Sequence, residues 1–414
     1  MKIGMMTRWN VPCGVAVHAE STGRAWVEMG HELKVFAPIE WDATQTQADE
    51  PYVVRCYRLN SGWRKKEVSF FNPTPFVEDS FDVFVVQNLE LMPMPKLLEV
   101  YPAIRETAKT VLVVHEGNPP SDPDFYKFDW DAIICFDDRY QKLLSPLFPK
   151  KRIKIIPYAC HPINKGDKNE ARLKLNLPLD KRIVFNYGLG VFRHLHLLPT
   201  IERLAKRYPL FFLTLTDVED WFDLFAGLER RYGFLETRRG PVSTQELYTY
   251  LHASDALLIH KDTAAAVVVS STAYLCLGSG CPILAYDTNF FETLGEEVIK
   301  YRSLEELAQR LEDVFEGREN VAQTIQAAEK YAGENSGWEI GKRFIELFES
   351  LGTGVIKPKI LVLEPQVAAV APARGNFVES PITRPQISSV PMASVEDGLA
   401  GKIEISPSSK GALP

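Results

Sequence analysis

The sequence predicts an α/β protein built from two doubly wound parallel sheets, and three observations point that way. Short apolar runs without polar alternation recur along the chain. Amphipathic stretches of helix length separate them. The whole series restarts after a polar stretch near the middle. Continuous Val/Ile-rich runs belong to parallel strands buried on both faces, and strand–helix alternation is the pattern of doubly wound sheets. The 414 residues are 45% hydrophobic and 24% charged, a globular composition long enough for two domains.

KIGMM (2–6) reads as the first strand, followed by a loop and a helix-patterned stretch over about 15–29. LKVFAP (33–38), FDVFVVQN (81–88), TVLVVHEG (110–117), DAIICF (131–136) and IKIIP (153–157) continue the strand series. The polar stretch HPINKGDKNEARLKLNLPLDK (161–181) breaks the rhythm, and RIVFNYG (182–188) restarts it. PLFFLTLTD (209–217), DALLIH (255–260) and PILAYD (282–287) follow, with helical stretches at about 195–207, 219–232, 244–252 and 270–279. A capping box opens SLEELAQRLEDVFEG (303–317), and WEIGKRFIELFESL (338–351) has a helical period without the box. The segment 357–414 is rich in Pro, Ser, Ala and Gly without sustained periodicity, and is expected to be a disordered tail. A ligand is expected between the two domains, at the carboxyl ends of strands.

Composition narrows the function. Net charge is −7, from 47 basic and 54 acidic residues, which gives no basic excess for nucleic acid. The six cysteines (13, 56, 135, 160, 276 and 281) form no CxxC pair and no zinc-like cluster, as expected of a reducing, cytoplasmic compartment. MKIGMMTRWN lacks the apolar core of a signal peptide, and no run of 18 apolar residues exists to span a membrane. Peripheral membrane contact stays open.

Candidate site residues cluster where strands end. Gly14 sits at the first strand–helix turn, where backbone can approach a ligand and a helix start favours anions; an ordinary tight turn is the alternative. Arg8, after the same strand, is a possible phosphate contact. His115 and Glu116 close the run VLVVHEG, and His260 and Lys261 close DALLIH. SSTAYLCLGSGCP (270–282) places Ser270, Ser271 and Thr272 together at a predicted helix start. Backbone N–H groups, a dipole of about half a charge and three hydroxyls could hold a diphosphate there. A plain Ser N-cap on a core helix is the competing reading. No DxD or metal-ligand spacing stands out, so no metal cofactor is expected.

PCGVAVHAESTGRAWVEMGHELKVFAP resembles the opening of retaining glycosyltransferases of the GT-B fold, notably glycosyltransferase family 4, with Cys13 in place of one Gly. DAIICFDDRYQKLLSPLFPKKRIKIIPYACHP and GPVSTQELYTYLHASDALLIH are similar to that family's later segments, so the likeness covers about 1–352. It implies Rossmann-like domains over 1–165 on the acceptor side and 175–335 on the nucleotide-sugar side. A helix over 336–352 would pack back on the first domain. It also implies a nucleotide-sugar donor, a sugar, lipid or other small acceptor, and His115 close to the transferred sugar.

Two motifs of the family are altered. In the phosphate loop Gly188 and Gly190 remain, but Leu189 stands at the Arg position and His194 at the Lys position, with Arg193 next door. Val267 and Leu275 stand where two Glu residues usually flank the donor helix, although some family 4-like enzymes have a Ser-Gly-Thr arrangement there instead. The resemblance therefore implies a retaining, metal-independent hexosyltransferase of a divergent branch. A non-catalytic GT-B protein that binds a glycan, nucleotide or protein partner is the alternative.

Overall fold

The first sheet grows outward in both directions from its first strand. Its members are β1 (Lys2–Met6), β2 (Glu32–Pro38), β3 (Val53–Asn60), β4 (Glu67–Phe71), β5 (Val83–Gln87), β6 (Lys109–Val113), β7 (Ala132–Cys135) and β8 (Ile153–Ile155). Their spatial order is β4-β3-β2-β1-β5-β6-β7-β8, and among the described residues only the β3–β4 pair is antiparallel. The second sheet contains β9 (Arg182–Tyr187), β10 (Leu210–Thr216), β11 (Leu235–Arg239), β12 (Ala256–Ile259), β13 (Ile283–Tyr286) and β14 (Ile299–Tyr301). Its order is β11-β10-β9-β12-β13-β14, all parallel. This computed structural model describes residues 1–40, 43–60 and 67–352; the segment read as a disordered tail, 357–414, lies outside the described residues.

Each sheet has a switch point, between β1 and β5 in the first and between β9 and β12 in the second. Crevices form at such points, outside the carboxyl ends of the strands. Residues alternate faces along β9: Ile183 and Phe185 join the core that continues from the first sheet, while Val184 joins a separate core on the other side. The continuous core passes through Tyr158 and Cys160, so the halves share packed side chains and not only a linker. Cys160 N–H donates to Asn335 O (2.8 Å), and Gly337 N–H donates to Cys160 O (2.9 Å) where the chain crosses back. The helix Gly337–Ser350, capped by Ser336 accepting from Glu339 N, then lies on the helix Gly14–Glu28. Trp26 Nε1 donates to Gly341 O (3.3 Å) and packs edge-on against Phe344 and Phe348.

Some elements differ from the sequence expectation. β3, β4, β11 and β14 were not anticipated, nor were the helices Met94–Thr107, Lys168–Lys174 and Glu319–Glu334. β4, β11 and β14 lie at sheet edges, where one side is unpaired and the apolar signal is weak. The helix Met94–Thr107 tolerates an internal Pro102, which disguises it. The polar stretch 161–181 contains a helix packed against the helix Thr244–Ala253, anchored by buried Arg172 to the buried Asp255 carboxylate (2.7 Å).

Candidate functional site

On the side of the second sheet, β9 ends in Tyr187 and turns through Gly188, whose φ of +105° is left-handed and strained for other residues. A 3-10 turn over Val191–Leu197 follows. It carries His194 inward: Nδ1 lies 3.1 Å from Val191 O and Nε2 3.1 Å from Leu258 O. Burial holds this imidazole at about 4, so it is neutral and does not replace the missing lysine charge. His260 is likewise occupied. Its Nδ1 is 2.7 Å from the Tyr301 hydroxyl and its ring stacks on Tyr286 at 4.4 Å, so it is a packing group rather than an open ligand.

Arg193 and Lys261 remain as cations at this switch point. Arg193 lies over the Phe192 ring and its Nε is 3.4 Å from the exposed Asp262 carboxylate, beside Gly190. Lys261 has only the Phe290 ring, 4.9 Å from Nζ, and no carboxylate partner among the described residues. Burial, reinforced by Arg193, pushes its ammonium down to about 8. An unpaired, desolvated lysine beside an arginine is a ready site for an anion.

The helix expected over 270–279 is shorter, Ser271–Cys276, and continues as a 3-10 turn over Leu277–Ser279. Its dipole is correspondingly weaker than a long helix would provide. Ser270 is buried and its Oγ accepts from Ala273 N (3.3 Å), so it is the N-cap. Ser271 and Thr272 are partly exposed, and their hydroxyls make no protein hydrogen bond among the described residues.

Across from this helix start stand the residues of the first sheet. Arg8 is not available as a phosphate contact: Nε and Nη2 grip Glu40 at 3.1 and 2.6 Å. Glu116 is buried, and its oxygens accept from the backbone N–H groups of Glu90 and His115, both at 3.0 Å. Burial raises its carboxyl to about 7, and the group braces the two loops that carry Glu90 and His115. His115, two residues beyond β6, is partly buried; its Nε2 is 3.0 Å from Gln87 Oε1. Burial and neighbouring His18 hold it well below the usual histidine range.

The two sides touch. A Cβ on Gly14 would lie 3.0 Å from Ser271 Oγ, and one on Gly117 would lie 2.1 Å from Val267 O. Val267 N–H donates to Gly117 O at 2.9 Å. Tyr158 donates to Gly14 O (2.6 Å) and stacks on Tyr274 at 5.2 Å. Arg139 holds Asp137 on its own side and reaches Val268 O, Asn289 O and Glu292 on the other. Gly14 and Ser271, separate candidates in the sequence, are thus packed against each other, and a diphosphate between them would require them to part.

Sequence reasoning missed Arg139, Gln87 and His18, whose roles depend on partners distant in the chain, and it saw Tyr158 only as a departure from the family's motif, without its role. Among the described residues no group of three or more His, Cys, Asp or Glu is arranged to hold a metal ion. No described helix is long and apolar enough to cross a membrane. A surface cavity of about 340 Å³, lined by residues such as Lys300, Arg302 and Arg310, shares no residue with this site.

No protein-family model matches the chain. Its structure is similar to that of HepE from Anabaena in complex with UDP-glucose, at 14% identity and a TM-score of 0.60, covering 84% of this chain and 100% of that one. A glycosyltransferase from Rickettsia africae matches at 14% identity and 0.59, covering 84% and 98%. The pneumococcal O-GlcNAc transferase GtfA, in complex with UDP and GlcNAc, matches at 11% identity and 0.57, covering 85% and 99%. These likenesses establish the architecture: two parallel-sheet domains in the GT-B arrangement.

Proposed function

We propose that this GT-B-fold chain transfers a hexosyl group from a nucleotide-diphosphate sugar to a sugar, lipid or other small acceptor. The observation that carries the reading is Lys261, a half-buried cation without a carboxylate partner among the described residues, beside Arg193 at the switch point of the second sheet. The likeness to proteins solved with UDP-glucose or UDP supports a nucleotide sugar as the ligand. In this reading the diphosphate lies on the Gly188–Gly190 loop and meets Lys261, Arg193 and the hydroxyls of Ser271 and Thr272. As the glycosidic bond breaks, negative charge grows on the leaving diphosphate, and donors already in place stabilise it without reorganising. These cations and hydroxyls carry that charge in a metal-independent mechanism. His115 faces the sugar. Glu116 is committed to backbone amides, which fits a retaining reaction that needs no protein base on the acceptor side.

A second reading, a non-catalytic binding protein, is favoured by the direct contacts Gly14–Ser271 and Gly117–Val267, which occupy the space between the sheets. Thermal-shift measurements with UDP-, GDP- and ADP-sugars separate the two. One donor at about 100 times its Kd should stabilise the fold by about 2.7 kcal/mol, a shift of several degrees. The Ser271→Ala/Thr272→Ala pair should abolish it. No shift with any nucleotide sugar would sink the transferase reading. A shift without slow hydrolysis or transfer would favour the binding protein.

A further inference from the structure

Gln87, the last residue of β5, is fully buried between two histidines brought from different elements. His18 comes from the helix after β1 and His115 from the loop after β6, so three adjacent strands of the first sheet deliver the trio. Gln87 Oε1 lies 3.2 Å from His18 Nδ1 and 3.0 Å from His115 Nε2. The rings are edge to face at 5.4 Å, and Phe136 and Tyr158 pack against both. Gln87 Nε2 points the other way, to Met5 Sδ at 3.9 Å.

That last contact fixes the amide. Reversing Gln87 would set its oxygen lone pairs against the thioether, whereas an N–H can donate weakly to sulfur. With the oxygen facing the histidines, each ring nitrogen beside it must carry the proton. His18 is then the Nδ1–H form, and its Nε2, buried and without a partner, is a bare lone pair. His115 is the Nε2–H form, and its Nδ1 has no protein partner among the described residues.

We propose that Gln87 is a positioning residue that sets opposite tautomers on His18 and His115, so that His115 presents a lone pair, and no N–H, to its ligand. The consequence, which rests on the transferase reading, is a choice of partner. A lone pair accepts from a hydroxyl and repels a phosphate oxygen. His115 therefore meets a sugar hydroxyl, and the diphosphate belongs wholly to the Lys261 side. Burial holds the His18 ring down at about 4 against the Gln87 hydrogen bond, and burial together with the neighbouring His18 holds His115 well below the usual histidine range, so both rings stay neutral near pH 7 and the arrangement is preserved.

The test uses the full chain labelled with 15N-histidine, with long-range 1H–15N spectra assigned through His18→Phe and His115→Asn. The expected result at pH 7 is Nδ1–H for His18 and Nε2–H for His115, both neutral. A Nδ1–H or charged His115, or a Nε2–H His18, overturns the proposal. Gln87→Glu keeps the shape and adds a charge. It should raise the titration midpoint of at least one of the two histidines by about one pH unit or more. The other ionisable groups here, Glu116 at the His115 backbone and the Tyr158 phenol, are unchanged by this variant. Unaltered midpoints would show that Gln87 does not govern the pair. If Gln87→Glu does not fold, the wild-type spectrum still decides. The spectra need no nucleotide, so failure here leaves the donor reading standing, and failure of every donor to bind leaves the tautomers standing.

Discussion

Lys261 stands in a different environment from the arginines of the candidate site. Arg8 and Arg139 are spent on carboxylates, while Lys261 rests on an aromatic face with its ammonium pushed down to about 8. A lysine whose folded pKa lies below its unfolded value destabilises the fold while charged. That cost is fully present below about pH 8 and disappears as the pH rises to the ordinary lysine value. A bound diphosphate relieves it, so nucleotide-induced stabilisation should be greatest below pH 8 and weaken above it. Titration calorimetry across pH 7–9 checks this. Lys261→Ala should weaken nucleotide binding by about 10- to 100-fold, the size of a charged hydrogen bond, and Lys261→Arg should flatten the pH dependence. Equal affinity in wild type and Lys261→Ala would remove Lys261 from the site. A cation at this position was legible in the sequence. Which cations are already paired was not, because Glu40 is 32 residues from Arg8 and Glu292 is 153 from Arg139.

At the scale of elements, the start of the helix Ser271–Cys276 divides its hydroxyls between two tasks. Ser270 is a cap inside the core, while Ser271 and Thr272 are turned outward. Ser270→Ala should lower stability in urea by about 1 kcal/mol and leave nucleotide affinity unchanged. Ser271→Ala and Thr272→Ala should do the reverse. A loss of affinity in Ser270→Ala equal to that in Thr272→Ala would show that the helix start acts as one unit. Strands buried on both faces, such as β5, β6, β10 and β12, were readable as unbroken apolar runs. Edge strand β11, LETRR, has the composition of a loop and becomes a strand only because β10 offers it a partner.

For the whole molecule, the decisive fact is that the carboxyl ends of the first sheet already touch the loop before the helix Ser271–Cys276. Arg139 is the polar fastener, with a carboxylate on its own side and a carboxylate and two carbonyls on the other. Arg139→Ala should lower stability by about 1–2 kcal/mol, discounted for partial exposure, and increase the radius of gyration in X-ray scattering. Gly117→Ala, which sets a methyl against Val267 O, should act in the same direction by about 1–3 kcal/mol. Unchanged scattering in both variants would mean that neither contact holds the halves together.

By itself the sequence determined the α/β class, the doubling of the sheet, most buried strands and the stretch where hydroxyls gather. These are local properties, carried by runs of adjacent residues with one periodicity. The tertiary structure decided everything that depends on a distant partner. It made Ser270 a cap, turned His194 and His260 inward, tied Arg8 to Glu40, and joined His18 to His115 through Gln87. It also closed Gly14 onto Ser271, a contact between residues 257 positions apart that only the folding of one sheet against the other can make.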